Sequence, residues 1–99
     1  MDIQIQSIHF NADRKLLGFI EDKVGKLSHY YDGIISSEVF LRLDKSNSSD
    51  NKIAEIKINV PGNDLYVKRQ CKTFEEAIDG SVLALSRQVK KYKEKHKRM

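Results

Sequence analysis

A chain of 99 residues, 39% apolar and 32% charged, has room for one core and one domain of a soluble globule and not for two. No apolar run approaches the ~20 residues of a bilayer span, and the N-terminus has no signal-peptide pattern. Cys71 is the only cysteine, which excludes an intrachain disulfide and points to a reducing, cytoplasmic setting.

The chain opens with Ile3 and Ile5 in one strand phase and Ile8 and Phe10 in the other, so a bulge or strand end is expected near Gln6-Ser7. Leu16, Ile20, Val24, Leu27 and Tyr31 then recur at three- and four-residue spacing, which predicts an amphipathic helix over about residues 12–31. Asn11 is the expected N-cap and Asp32-Gly33 the stop. Gly18 and Gly25 each weaken that helix by roughly 1 kcal/mol relative to alanine, so it must be held by packing.

From Ile35 to Asp44, Val39, Leu41 and Leu43 alternate with Glu38, Phe40 and Arg42; after the polar stretch 45–51, Ala54, Ile56, Ile58 and Val60 alternate with Glu55, Lys57 and Asn59. Both runs predict strands with one buried and one wet face, joined by a loop. Pro61-Gly62-Asn63-Asp64 predicts a turn, after which Leu65 to Cys71 returns as an antiparallel neighbour. Arg69 breaks the inward phase there, as expected of a strand end leaving the core.

Thr73-Phe74-Glu75-Glu76 reads as a capping box, with Thr73 accepting from the Glu76 N–H and the Glu76 carboxylate returning to the Thr73 N–H. Phe74, Ile78, Leu85, Val89 and Tyr92 follow one helical face with Val82 beside them, acids stand near the start and lysines near the end, as the helix dipole favours. The predicted fold is α+β in the order β-α-β-β-β-α: a four-stranded, mostly antiparallel sheet with two helices packed on one face. It forms a single domain over 1–99, and the sequence leaves open the order of the basic end, about 94–99.

The parts of a catalytic or metal site are missing. His9, His29 and His96 have no ligand-like spacing, the five glycines are scattered, and no nucleophile elbow or paired cysteines occur, so neither an enzyme nor a bound cofactor is expected. Cys71 reads as a half-buried strand residue.

Charge carries the functional signal instead. Residues 87–99 hold seven Lys and Arg against Glu94 alone, so this segment is +6 while residues 1–86 sum to −2. Such segregation points to a polyanion. At 100° per residue, Arg87, Lys90, Lys91, Lys97 and Arg98 fall within about 60° of the pole opposite Leu85, with Lys93 and Lys95 on the flanks. Cations spaced along one ridge can follow a phosphate backbone and release its counterions. Lys15, Lys23 and Lys26 add basic residues on one flank of the first helix. The open sheet face offers a second surface, with Arg42, Lys57, Lys68, Phe40 and Tyr66, on which bases could stack. The residues alone also allow a protein-interaction module regulating transcription through an acidic partner.

The stretches Thr73-Phe74-Glu75-Glu76-Ala77-Ile78-Asp79 and Leu85-Ser86-Arg87-Gln88-Val89-Lys90-Lys91-Tyr92-Lys93 resemble the second helix of the ribosome hibernation-promoting factors, a family also known as ribosome-associated inhibitor A, sigma-54 modulation or ribosomal S30EA proteins. Lys23-Val24-Gly25-Lys26-Leu27 is similar to the basic end of the family's first helix, and Ala54-Glu55-Ile56-Lys57-Ile58 to its third strand. The likeness spans nearly the whole chain.

This resemblance implies binding to the small ribosomal subunit through ribosomal RNA, between head and body, where messenger and transfer RNA bind. It implies steric inhibition of translation in starvation or stationary phase. Carried over by motif, Lys23, Lys26, Arg87, Lys91 and Lys95 are the implied contacts, with Lys90 beside them on the ridge. The family's Asp-hydrophobic-Tyr at the start of the second helix is here Thr73-Phe74-Glu75: threonine still caps, but the tyrosine is absent. Ala84 stands where a basic residue is common, so that contact should be missing. Ending at Met99, the chain is expected to resemble the short members, for which pairing of ribosomes would need a helper protein.

Overall fold

The computed structural model describes residues 1–45 and 49–96. Part of the expected loop (46–48) and the ridge positions Lys97 and Arg98 lie outside the described residues. The order of elements is β1 (Asp2–Ser7), α1 (Arg14–Gly25) continued by a 3₁₀ turn (Lys26–His29), β2 (Ser36–Leu43), β3 (Lys52–Val60), β4 (Asn63–Cys71) and α2 (Phe74–His96). One sheet has the strands in chain order. β1 runs parallel to β2, a pairing that requires a crossover, supplied by α1. β2–β3 and β3–β4 are antiparallel, the latter closed by a tight turn in which Gly62 takes a φ of 76°.

Register explains the two faces. Ile5, Val39, Ile56 and Val67 form one cross-strand row, and Ile3, Ser37, Ile58 and Leu65 the next. These rows face the helices and pack against Leu16, Ile20, Val24 and Leu27 of the first helical segment and Ile78, Leu85 and Val89 of α2. At roughly 25 cal/mol per Å² of apolar area removed from water, this burial holds together a first helix whose two glycines make it poor on its own. Phe10 stacks on Phe74 at one end of the core (5.1 Å, 5°), and Tyr31 meets Tyr92 edge-on at the other (5.7 Å, 62°). The Tyr92 hydroxyl donates to the Pro61 carbonyl, pinning the later turns of α2 to the β3–β4 turn.

Several expectations shift. The N-cap of α1 is Asp13, not Asn11: its Oδ1 accepts from the Leu16 N–H at 2.8 Å. The cap bonds three residues ahead, and Leu16, the first apolar stripe position, sets that register. The helix does not continue to 31; after Gly25 the chain tightens into the 3₁₀ turn, with Ser28 Oγ donating to the Gly25 carbonyl at 2.8 Å. The phase change after Ile5 is a strand end at Ser7, and His9 beyond it takes a φ of 65°. Leu43, assigned to the buried set, is 45% exposed, because its row pairs it with Lys52 past the last buried rung. Ile53 is buried although it lies on the open face, in register with Arg42 and Gln70.

Candidate nucleic-acid interface

α2 is the element that displays charge, and a side-chain cap fixes its start. Thr73 Oγ1 accepts from the Glu76 N–H at 3.0 Å; the returning half of the capping box is absent, the Glu76 carboxylate instead accepting from the Thr73 hydroxyl at 3.3 Å. The helix spans 23 residues, about 34 Å at 1.5 Å per residue. Its underside, from Phe74 through Ile78, Leu85 and Val89 to Tyr92, is buried, so the cations between these positions are held facing solvent.

Arg87 and Lys91 lie on the outer face and are exposed. Lys91 and Lys95 border a hollow of about 290 Å³ over the β4 edge, shared with Gln88, Tyr92, Asn63 and Leu65. Gln88 Nε2 donates to the Tyr66 carbonyl at 3.4 Å on that side. Lys90 turns the other way, with Nζ 4.6 Å from the centre of the Tyr30 ring. The ridge therefore divides: Arg87 and Lys91 at the crown, Lys95 toward β4, Lys90 toward the 3₁₀ turn. Among the described residues none of these four enters a salt bridge.

The first helix does reach this patch. Lys23 Nζ lies 3.4 Å from the Asp79 carboxylate of α2 and 5.5 Å from the Phe19 ring, so this side chain, 34% exposed, ties the two helices together. Lys26 is 55% exposed and 3.7 Å from Asp22 one turn back; it faces a hollow shared with Lys23, Tyr30, Val82 and Leu83. Of the two, Lys26 is the freer, since an exposed i,i+4 pair contributes only a few tenths of a kcal/mol.

The open sheet face behaves differently. Arg42 pairs with Glu55, Lys57 Nζ lies 3.9 Å from Glu38 and 3.8 Å from Asp64, and the Tyr66 hydroxyl donates to Glu55 at 3.0 Å. Burial works to raise the Glu55 pKa, but hydrogen bonds from Arg42 and Tyr66 and the charges of Arg42 and Lys68 prevail and hold it below the usual glutamate value. Burial, and then the bond to Glu55, push the Tyr66 phenol up. Arg42 and Lys57 are answered by carboxylates across the strands, which weakens the pull of this face on a polyanion, while the exposed Lys68 enters no salt bridge among the described residues.

The sequence profile of the "Sigma 54 modulation protein / S30EA ribosomal protein" family matches residues 3–97. The chain belongs to that family. A "Ribosome hibernation promoting factor" of Escherichia coli is 27% identical over 97 residues, covering 98% of both chains, and one of Pseudomonas putida is 24% identical over 95 residues, covering 96% of this chain and 89% of its own. A "Ribosome hibernation promotion factor" of Bacillus subtilis is 27% identical over 97 residues, but the match takes in only 50% of that longer protein. Among solved structures, the Thermus thermophilus Protein Y N-terminal domain superposes with a TM-score of 0.81 at 27% identity, covering 93% of this chain and 99% of that one. A ribosomal subunit interface protein from Coxiella burnetii gives 0.83 at 20% identity, covering 94% and 98%, and shares the fold.

The S30EA family is one of non-enzymatic, ribosome-associated proteins. Among the described residues, no group of His, Cys, Asp and Glu is placed to hold a metal ion, and no helix is long and apolar enough to cross a membrane. Two side chains of this S30EA chain that sequence reasoning passed over border the basic groove: Tyr30, 38% exposed, and Leu83, 56% exposed. Their signal was apolar character out of phase with the buried stripes. Tyr30 adjoins the in-phase Tyr31, and Leu83 falls between Val82 and Ala84 on the outer side of α2.

Proposed function

We propose that this protein is a cytoplasmic ribosome hibernation factor that binds the small ribosomal subunit at the decoding region, between head and body, and blocks messenger and transfer RNA there. Translation would stop sterically, with no bond made or broken, in stress or stationary phase. The observation that carries this reading is the outer face of α2, where Arg87, Lys90, Lys91 and Lys95 project from a helix pinned by its buried underside and enter no salt bridge among the described residues. Cations held by no carboxylate meet phosphates without first breaking an ion pair, Lys90 leaving only its contact with the Tyr30 ring, and the release of condensed counterions drives binding. Lys26 and, once drawn from Asp79, Lys23 extend that face across α1. The names carried by the relatives support a ribosomal target over a generic polyanion.

The test is cosedimentation. The protein should pellet with purified small subunits at low salt and be displaced by messenger RNA or initiator transfer RNA. Failure to pellet would overturn the proposal, and pelleting that neither RNA can displace would move the site away from the decoding region.

A further inference from the structure

Two hollows adjoin where the 3₁₀ turn meets α2, and Tyr30 borders both. One, of about 220 Å³, is shared with Lys23, Lys26, Val82 and Leu83; the other, of about 600 Å³, with His29, Lys90, Lys93 and Glu94. A lone exposed aromatic on a soluble surface requires no explanation. Here, however, an exposed ring and an exposed leucine stand close together, with lysines on both sides of the ring.

Duplex RNA has no use for such an apolar wall, because its base faces are already stacked on one another and the protein meets phosphates and riboses. An unstacked base does: its face lies on an aromatic ring while neighbouring phosphates reach cations on either side. From this we infer that the Tyr30–Leu83 groove is a binding site for a single unstacked nucleobase, so that the RNA segment gripped here is single-stranded. The inference rests on the RNA-binding reading above and specifies the form of RNA that this part of the surface takes.

The base stacks on Tyr30 with its edge toward Leu83 and Val82, and its flanking phosphates reach Lys26 on one side and Lys90 or Lys93 on the other. Lys90 already lies over the ring, so the base takes the opposite face or displaces the ammonium toward a phosphate. The carboxylates lining the groove are Asp79 and Glu94, with Asp22 beside it on Lys26. Asp79 and Asp22 hold Lys23 and Lys26 at 3.4 and 3.7 Å, more than half exposed themselves, and a phosphate can replace either in water at little cost.

The probes are a short single-stranded RNA carrying a fluorescent adenine analogue and an RNA duplex of equal length, titrated against the full chain. Tyr30→Ala should weaken binding of the single strand by roughly 5- to 100-fold, abolish quenching of the analogue and change duplex binding less than about twofold. Tyr30→Phe should keep both affinity and quenching. Equal losses on the two RNAs, or no loss on the single strand, would overturn the inference. If Tyr30→Ala lowers the melting temperature, Leu83→Ala at the 56% exposed neighbour decides instead: a loss confined to the single strand supports the groove, and an unchanged affinity overturns it. Should wild-type protein pellet with small subunits yet show no single-strand preference, only this inference falls. Binding neither subunits nor either RNA would remove the reading beneath it.

Discussion

Glu55 illustrates how one side chain can hold a surface in order. It accepts from Arg42 and Tyr66 on the open face of the sheet, and its pKa is lowered relative to an ordinary glutamate despite the opposing effect of burial. A carboxyl depressed in the folded state stabilises fully above its unfolded value, about 4.3, and that contribution disappears as pH falls through the lower folded value. Glu55→Gln should therefore lower the melting temperature at neutral pH, and the gap to wild type should close in the acid range. A gap that is constant from neutral to acid pH would show that the cross-strand bonds contribute nothing through ionisation. At the same scale, Lys23 and Tyr30 show where sequence falls short. The Lys23–Asp79 contact joins residues far apart in the chain, and no periodicity encodes it. The value of Tyr30 depends on Lys90 arriving from the other helix.

Elements were far more legible than contacts, for a physical reason. Burial on one face imposes a period of two on strands and 3.6 on helices, and each of the four strands and both helices carries its period openly. The errors fall at ends, where the period gives out. Asn11 and Asp13 are chemically equivalent caps, and only the register to Leu16 decides between them. Leu43 keeps the inward phase but runs past the covered rows, and Ile53, for which the alternation gives no partner, is buried on the open face at a hollow it shares with Ile8 and Leu43. The start of α2 was the most readable feature because its cap is local. Its contribution is measurable: Thr73→Ala should cost about 1 kcal/mol, seen as a lower denaturant midpoint with unchanged slope. RNA affinity measured well below the transition should not change, since Arg87 lies more than three turns away. A fall in affinity without a fall in stability would mean that Thr73 itself touches the ligand.

Across the whole molecule, the two-layer arrangement separates a charge-paired sheet face from a cation-bearing helical face. The helices cover one face of the sheet, so their own outer surfaces become the exposed relief, and cations gather there while Arg42 and Lys57 of the open sheet face are paired with carboxylates. The fold class was legible because no other arrangement buries all six apolar stripes as simply. The site was legible only as a basic ridge, because its division into a crown, a β4 flank and an aromatic groove depends on how α1 packs beside α2. If four to six phosphates are neutralised, the logarithm of the binding constant for RNA should fall against the logarithm of salt with a slope of roughly −3 to −5. A slope near zero would be incompatible with a phosphate-tracking surface.

The central claim is that the crown of α2 binds the small ribosomal subunit, and charge reversal at that crown tests it most directly. Arg87→Glu combined with Lys91→Glu changes two exposed side chains that enter no salt bridge among the described residues. Cosedimentation of wild type and double variant with purified small subunits at low salt, with the melting temperature of each, is the measurement. The account predicts that wild type pellets, that the double variant stays in the supernatant, and that the two melt at nearly the same temperature. A double variant that folds and pellets like wild type would contradict it.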